Sequence, residues 1–309
     1  MPFSDIYRRQ VALLIRVLPL VAEQKSFALK GGTAINLFVR DMPRLSVDID
    51  LTYLPIQPRA QSLKAIDLAM KAIAKRIRQN IEGAQVNEAG SEGAITTLHV
   101  RAQGVQVKIE VTPVLRGSVY EPETRSVSES VERTFGFAEI SVVSFPDLYA
   151  GKIVAALDRQ HPRDLFDVRD LLAYEGISDE LRRAFLVYLL SHDRPMHEVV
   201  APTRKKLDAE FARGFEGMTD APVRLSELAD TREQFIDTII GKMPEAHRNL
   251  LVAFVEGKED WAALGVADAA KLPAIRWRQQ NLGMLTAERR AELARLLLEA
   301  LSQESRADE

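Results

Sequence analysis

Asp48 and Asp50 stand one residue apart in residues 27–51, FALKGGTAINLFVRDMPRLSVDIDL. Side chains in a strand alternate between faces, so Ser46, Asp48 and Asp50 point one way while Val47, Ile49 and Leu51 point the other. Two carboxylates side by side repel each other unless a cation or a shared proton lies between them. An oxygen-rich site of this kind suits Mg²⁺. Upstream, Gly31 and Gly32 allow a ligand close to the backbone, and free N–H groups of the helix that follows attract anions. A phosphate cradle beside a metal site points to nucleotide chemistry. Glu110 is a candidate third carboxylate, because Gln106, Lys108 and Glu110 alternate with Val105, Val107, Ile109 and Val111 along another strand. The alternative is a solvent-exposed strand glutamate.

A second constellation follows downstream. The segment DLYAGKIVAAL carries Lys152 among Ala150, Gly151, Ala155 and Ala156, and a buried ammonium needs a carboxylate or phosphate partner. HPRDLFDVRDLL then places Asp164, Asp167 and Asp170 at three-residue spacing behind Pro162. Asp147 and Asp164 read equally well as helix caps, and Lys152 as a side chain that reaches water.

The elements that must position these groups follow from periodicity. Ile6, Leu13, Leu14, Val17, Leu20 and Val21 give residues 5–24 helical spacing, as expected of a helix covering a sheet. A strand is expected at 27–29, a helix at 33–40 and a second strand at 45–53, ended by Pro55 and Pro58. Leu63, Ile66, Met70, Ile73 and Ile77 form the apolar stripe of a helix over 59–81. Its other positions include Arg59, Lys64, Lys71, Lys75, Arg76 and Arg78 against a single Asp67, which reads as an RNA-facing ridge or as a solvated face. Strands at 94–102 and 105–114 flank a tight turn at Gln103-Gly104. Residues 117–136 read as an irregular excursion and 140–144 as a short strand. Ser144, Pro146 and Asp147 form a helix-start signature. Beyond it strand signals nearly vanish, with helices expected at 180–190, 231–240, 245–256 and 287–301 and a frayed tail after about residue 301.

A length of 309 residues allows two domains or three, and 46% apolar with 28% charged content is that of a soluble globular chain. The net charge of −3 supplies no global basic field, so any RNA contact must be local. The absence of cysteine excludes disulfides, a thiolate nucleophile and cysteine-ligated zinc or iron–sulfur clusters, and fits a reducing cytoplasm. Near the N-terminus Arg8 and Arg9 precede an apolar run in the manner of a signal peptide. Arg16 interrupts that run, which is too short to span a bilayer, so it reads as an amphipathic first helix.

GGTAINLF followed by RLSVDIDL resembles the nucleotidyltransferase signature of the AbiEii/AbiGii toxin family, related to the MenT toxins and built on the polymerase-β-like fold. The family's D-x-x-A-x-K-x-x-A motif is met by Asp147, Ala150, Lys152 and Ala155, and its downstream acidic motif by Asp164 in RDLFD. The resemblance covers about residues 25–172. Gly32-Thr33 replaces the superfamily's Gly-Ser, and a lysine-rich second motif is not clear around residues 108–116. The implied architecture is α+β: a nucleotidyltransferase domain with a small mixed sheet flanked by helices over 1–145, then an all-α helical domain over 146–309 that completes the active-site cleft.

The implied reaction transfers a nucleoside monophosphate from a nucleoside triphosphate to an acceptor. Asp48, Asp50, Lys152 and Asp164 would be catalytic, and Asp48 and Asp50 with Glu110 would hold Mg²⁺ or Mn²⁺. Gly31, Gly32 and Thr33 would bind the triphosphate, flanked by Lys30, Arg44 and Ser46. The implied acceptor is an RNA, a transfer RNA, whose modification blocks translation. The implied partner is a cognate antitoxin in a cytoplasmic phage-defence or stress system. An antibiotic-modifying nucleotidyltransferase would use the same aspartates with a different acceptor pocket. A non-catalytic nucleotide-binding scaffold has no need of Gly32, both aspartates and Lys152 together.

Overall fold

The structure, a computed structural model, describes residues 5–303. It divides into two units: the chain to Ser144 together with Gly217–Pro222, and Phe145–Glu216 together with the chain from Val223 onward.

The first unit is built on a seven-stranded sheet. In chain order its elements are α1 (Asp5–Ala22), β1 (Phe27–Lys30), α2 (Gly31–Ala34, continued as a π-helical turn over Ile35–Val39), β2 (Asp48–Tyr53), α3 (Arg59–Asn80), β3 (Gln85–Ser91), β4 (Ala94–Ala102), β5 (Val105–Arg116), β6 (Glu123–Ser126), α4 (Glu129–Phe135) and β7 (Glu139–Val142). The spatial order is β3-β4-β5-β2-β1-β7-β6. The sheet is mixed, because β2 runs parallel to β5 and β1 parallel to β7 while the other neighbours are antiparallel. Ile49, Leu51, Leu98, Val100, Val107 and Ile109 are fully or almost fully buried on one face, over which α1 and α3 pack. The period-two alternation in β2, β4 and β5 therefore places Asp48, Asp50 and Glu110 on the opposite face.

Several stretches depart from the expectations, the unexpected strand β3 among them. The second strand starts at Asp48, not residue 45, because Arg44 bridges to Thr219 and the Leu45 amide donates to the Met218 carbonyl. The excursion at 117–136 contains β6 and α4. Both β3 and β6 are edge strands of largely exposed, polar residues that backbone pairing holds in place. The basic side of α3 is locally neutralised: Arg59 pairs with Glu92, Lys71 with Asp67, Arg76 with Glu23 and Arg78 with Glu88. Most of this stripe is thus a solvated ion-pair surface.

The second unit is helical. It comprises α5 (Phe145–Arg159), α6 (Pro162–Tyr174), α7 (Asp179–Leu190), α8 (Met196–Val200), α9 (Asp208–Gly214), α10 (Leu225–Ile236), α11 (Glu245–Glu256), α12 (Trp261–Leu264), α13 (Pro273–Gly283) and α14 (Ala287–Gln303). Helix α5 packs against α6 and α7, α6 against α10, and α14 against α8 and α11. Ser178 caps α7 by accepting from the Leu181 amide, and Pro162 opens α6 behind His161, whose Nδ1 accepts from the Arg163 amide. Helix α14 runs to Gln303, past the expected start of the frayed tail, and residues 304–309 of that tail lie outside the described residues. No helix among the described residues is long and apolar enough to cross a membrane.

Candidate active site

In the first unit the chemistry gathers where β1 hands over to α2. Strand register sets two polar rows across the sheet: Lys30, Asp50, Glu110 and Thr97 stand opposite one another in β1, β2, β5 and β4, and Asp48, Lys108 and His99 form the next row. Directly opposed residues on one face lie about 5 Å apart at Cβ. Three carboxylates and two ammonium groups thus share one patch. The Lys108 ammonium is 2.8 Å from Glu110 Oε2, and this bond, ahead of the fields of Asp48 and Asp50, raises its pKa. Burial pushes the Lys30 pKa down, opposed by Asp50 and Glu110.

The glycine turn is locked to the acidic strand. Gly31 has φ +77°, and a Cβ there would lie 2.5 Å from Asp50 Oδ2. A Cβ on Gly32 would lie 2.7 Å from Arg44 Nη2 and 2.9 Å from Ser46 Oγ. Both positions exclude a side chain, the first by conformation and contact, the second by contact alone. The Gly32 carbonyl accepts from Asn36 Nδ2 at 2.8 Å. Thr33 is fully buried, and its hydroxyl donates to the Asp48 carbonyl while lying 3.0 Å from the Ser46 hydroxyl. The Thr33 hydroxyl thus ties the turn to the strand. Arg44 is likewise buried; it donates through Nη1 to the Leu45 carbonyl, and its Nη2 lies against Gly32.

Gly31→Ala should therefore displace Asp50 without unfolding the sheet. A misplacement of about 1 Å costs on the order of 100-fold in rate, so initial rates of nucleotidyl transfer are expected to fall by about that factor at unchanged circular dichroism.

In the second unit Lys152 and Asp164 meet. Lys152 Nζ lies 2.8 Å from Asp164 Oδ1 and 2.9 Å from Asp167 Oδ2, with side chains 7%, 1% and 1% exposed. Arg159, 60% exposed, holds Asp164 from the other side at 2.5 Å. Asp147 is buried and accepts from the Tyr188 hydroxyl at 3.2 Å, and Gly151 leaves room for that ring. Asp170 belongs to Arg169 instead. Asp167 and Arg159 are the partners that sequence reasoning left without a role. Their signal was present, since 152 and 159 lie two helical turns apart on one face and 164 and 167 are near neighbours on the next helix.

Burial alone would raise the Asp164 pKa, but Lys152 and Arg159 overcome it and hold the carboxyl well below its usual range. The unfolded chain then takes up this proton first, so the contribution of Asp164 to stability is complete above its ordinary pKa of about 4 and disappears as pH falls below it. The gap in urea midpoint between the native chain and Asp164→Asn should stay constant from pH 7 to about pH 4 and narrow below.

A family model described as the nucleotidyl transferase AbiEii toxin of a type IV toxin–antitoxin system matches residues 12–280. The chain belongs to the AbiEii family. This AbiEii chain is accordingly a nucleotidyltransferase toxin, with a nucleoside triphosphate as substrate and a cognate antitoxin as its genetic counterpart. Its fold is similar to that of MenT4, the nucleotidyltransferase toxin Rv2826c from Mycobacterium tuberculosis H37Rv, at 15% identity and a TM-score of 0.54 over 96% of this chain and 92% of that one. Terminal uridylyl transferase 4 from Trypanosoma brucei, solved with bound dUTP, aligns over 96% of this chain and 94% of its own at 13% identity, but its TM-score of 0.28 is too low to indicate a common fold. No curated protein matches.

Proposed function

We propose that this AbiEii chain transfers a nucleoside monophosphate from a nucleoside triphosphate to an RNA acceptor, a transfer RNA, and thereby blocks translation in the cytoplasm. The observation that carries this reading is the register of Asp48 and Asp50 on one face of β2 beside a glycine turn that admits no side chain. The donor set fits Mg²⁺ or Mn²⁺ as a site of two protein carboxylates, which Mg²⁺ completes with water and substrate phosphates. Among the described residues no three acidic or histidine side chains converge to hold a metal. Glu110 is engaged by Lys108, so its role is to hold that ammonium beside Asp48 and Asp50. The cation, when bound, neutralises triphosphate charge.

The chain's own groups orient the reactants. Gly31 and Gly32 bring main chain up to the phosphates, Thr33 and Ser46 brace Asp48, and Lys30 lies beside Asp50 and Glu110. Phosphoryl transfer needs chiefly such positioning and charge stabilisation, with an acceptor hydroxyl in line with the departing pyrophosphate. Lys152, held by Asp164 and Asp167, keeps the catalytic role that the family motif implies. The antitoxin encoded beside it would counter the block in a phage-defence setting.

Incubation with Mg²⁺, each α-labelled triphosphate in turn, total RNA and an aminoglycoside pool separates the acceptors. Label in transfer RNA is expected; label in the aminoglycosides with none in RNA would replace this reading with antibiotic modification.

A further inference from the structure

Away from the acidic patch, the buried guanidinium of Arg116 has no carboxylate counterpart among the described residues. Arg116 ends β5, and the register shift beyond Leu51 and Val111 sets it opposite Tyr53, at the other end of β2 from Asp48. The residue is 7% exposed. Its Nε and Nη1 are both sealed from solvent, and no group among the described residues accepts a hydrogen bond from either. Burial lowers its pKa, and the charge of Arg59, the first residue of α3, adds to that while Tyr53 opposes it. Arg59 itself pairs with Glu92 at the surface. The Tyr53 hydroxyl is directed to Gln57 Oε1 at 3.1 Å and remains a neutral phenol, because burial raises its pKa.

A guanidinium does not deprotonate in a protein, so Arg116 stays charged whatever its surroundings. A buried cation without a partner is destabilising, and a second cation beside it adds to the cost. An anion would reverse both effects. The helix that Arg59 opens, 22 residues long, has Pro58 at its N-cap and no side-chain cap, so its first N–H groups and the positive end of its dipole add to the field. A guanidinium offers several N–H donors in one plane to anionic oxygens. Two guanidiniums and a helix end together suit the tetrahedrally spread oxygens of a phosphate better than a single planar carboxylate.

We propose that Arg116, with Arg59 at the start of α3, binds one phosphate group at a site separate from the Asp48–Asp50 patch. That phosphate is either free inorganic phosphate or a phosphate of an RNA backbone, and the chemistry of recognition is the same. The site does not depend on which acceptor the toxin modifies.

The test uses the full chain in phosphate-free, EDTA-containing buffer at constant ionic strength, with the Arg116 Nε–H resonance followed by ¹⁵N NMR. Inorganic phosphate is added in one arm and a short RNA oligonucleotide in the other. A saturable shift of that resonance in either arm is expected and names the source. The same arm should bind about tenfold more weakly or worse to Arg116→Met, the loss expected for a charge-assisted pair, and should shift the resonance equally in Asp50→Asn. Without phosphate, Arg116→Met should melt no lower than the native chain, since it removes an unpaired buried charge. An Arg116 resonance unmoved by both probes, undiminished binding by Arg116→Met, or a lower melting point of that variant in phosphate-free buffer would each overturn the proposal.

Discussion

Asp50→Asn loses transfer by about 10³-fold or more while its melting temperature stays within a few degrees of the native chain. Asparagine keeps the shape of the side chain but removes the charge that the patch is built around. Asp50 sits at the crossing of its row, opposite Lys30 on one side and Glu110 on the other. Without its carboxylate, two acids remain beside the ammonium groups of Lys30 and Lys108, and the proposed cation would lose one of its two protein ligands. Losses of this order follow from removing a single group that stabilises developing charge. Asp48→Asn should behave alike, because its main-chain carbonyl, not its side chain, receives the Thr33 hydroxyl. Initial rates with labelled triphosphate, set beside thermal melts of each variant, measure both halves of the statement. Native rates in both variants would remove the acidic patch from the chemistry.

The second large effect is on stability. Lys152→Met should destabilise the chain by about 3–5 kcal/mol, the cost of breaking a buried ion pair and leaving its acids uncompensated. Asp164 retains Arg159, and Asp167 loses the Lys152 ammonium that stands 2.9 Å from its carboxylate. Adding Asp167→Asn to Lys152→Met should accordingly recover part of the loss. Urea unfolding of the two single variants and the double variant forms a cycle that measures the coupling. A Lys152→Met chain as stable as the native one would show that the buried cluster does not hold α5 to α6. The size of this structural effect also bears on function. Transfer by Lys152 variants has to be measured where they are folded, since a protein with this cluster broken loses rate by unfolding as well as by chemistry.

What could be read in advance followed burial. Strands β2, β4 and β5 alternate strictly because one face is core, and that same alternation put Asp48, Asp50, Lys108 and Glu110 together on the other face. Helices α3, α5, α7, α11 and α14 carried apolar stripes at helical spacing and were equally plain, whereas the short α8, α9 and α12 were not. Edge strands β3 and β6 were not, because QVNEAGS and ETRS bury almost nothing and are strands only through the partners they pair with. The segment Gly217–Pro222 is a similar case, placed with the first unit by its bridge to Arg44.

The site shows the same division. Residue types and spacing singled out the glycines, the aspartates and Lys152, but which atom each one touches is a matter of three-dimensional partners. Thr33 illustrates this, since nothing in GGT shows that its hydroxyl donates to the Asp48 carbonyl 15 residues on. Arg116 illustrates it from the other direction. Nothing in VTPVLRG marks an arginine whose guanidinium ends up buried without an acceptor.

Intact-mass spectrometry of transfer RNA after incubation with the native chain, Mg²⁺ and a mixture of nucleoside triphosphates examines the transfer itself. The expected result is a gain equal to one or more nucleoside monophosphates, absent with Asp50→Asn. Transfer RNA of unchanged mass, in a preparation that consumes triphosphate and labels some other acceptor, would contradict RNA as the substrate of this site.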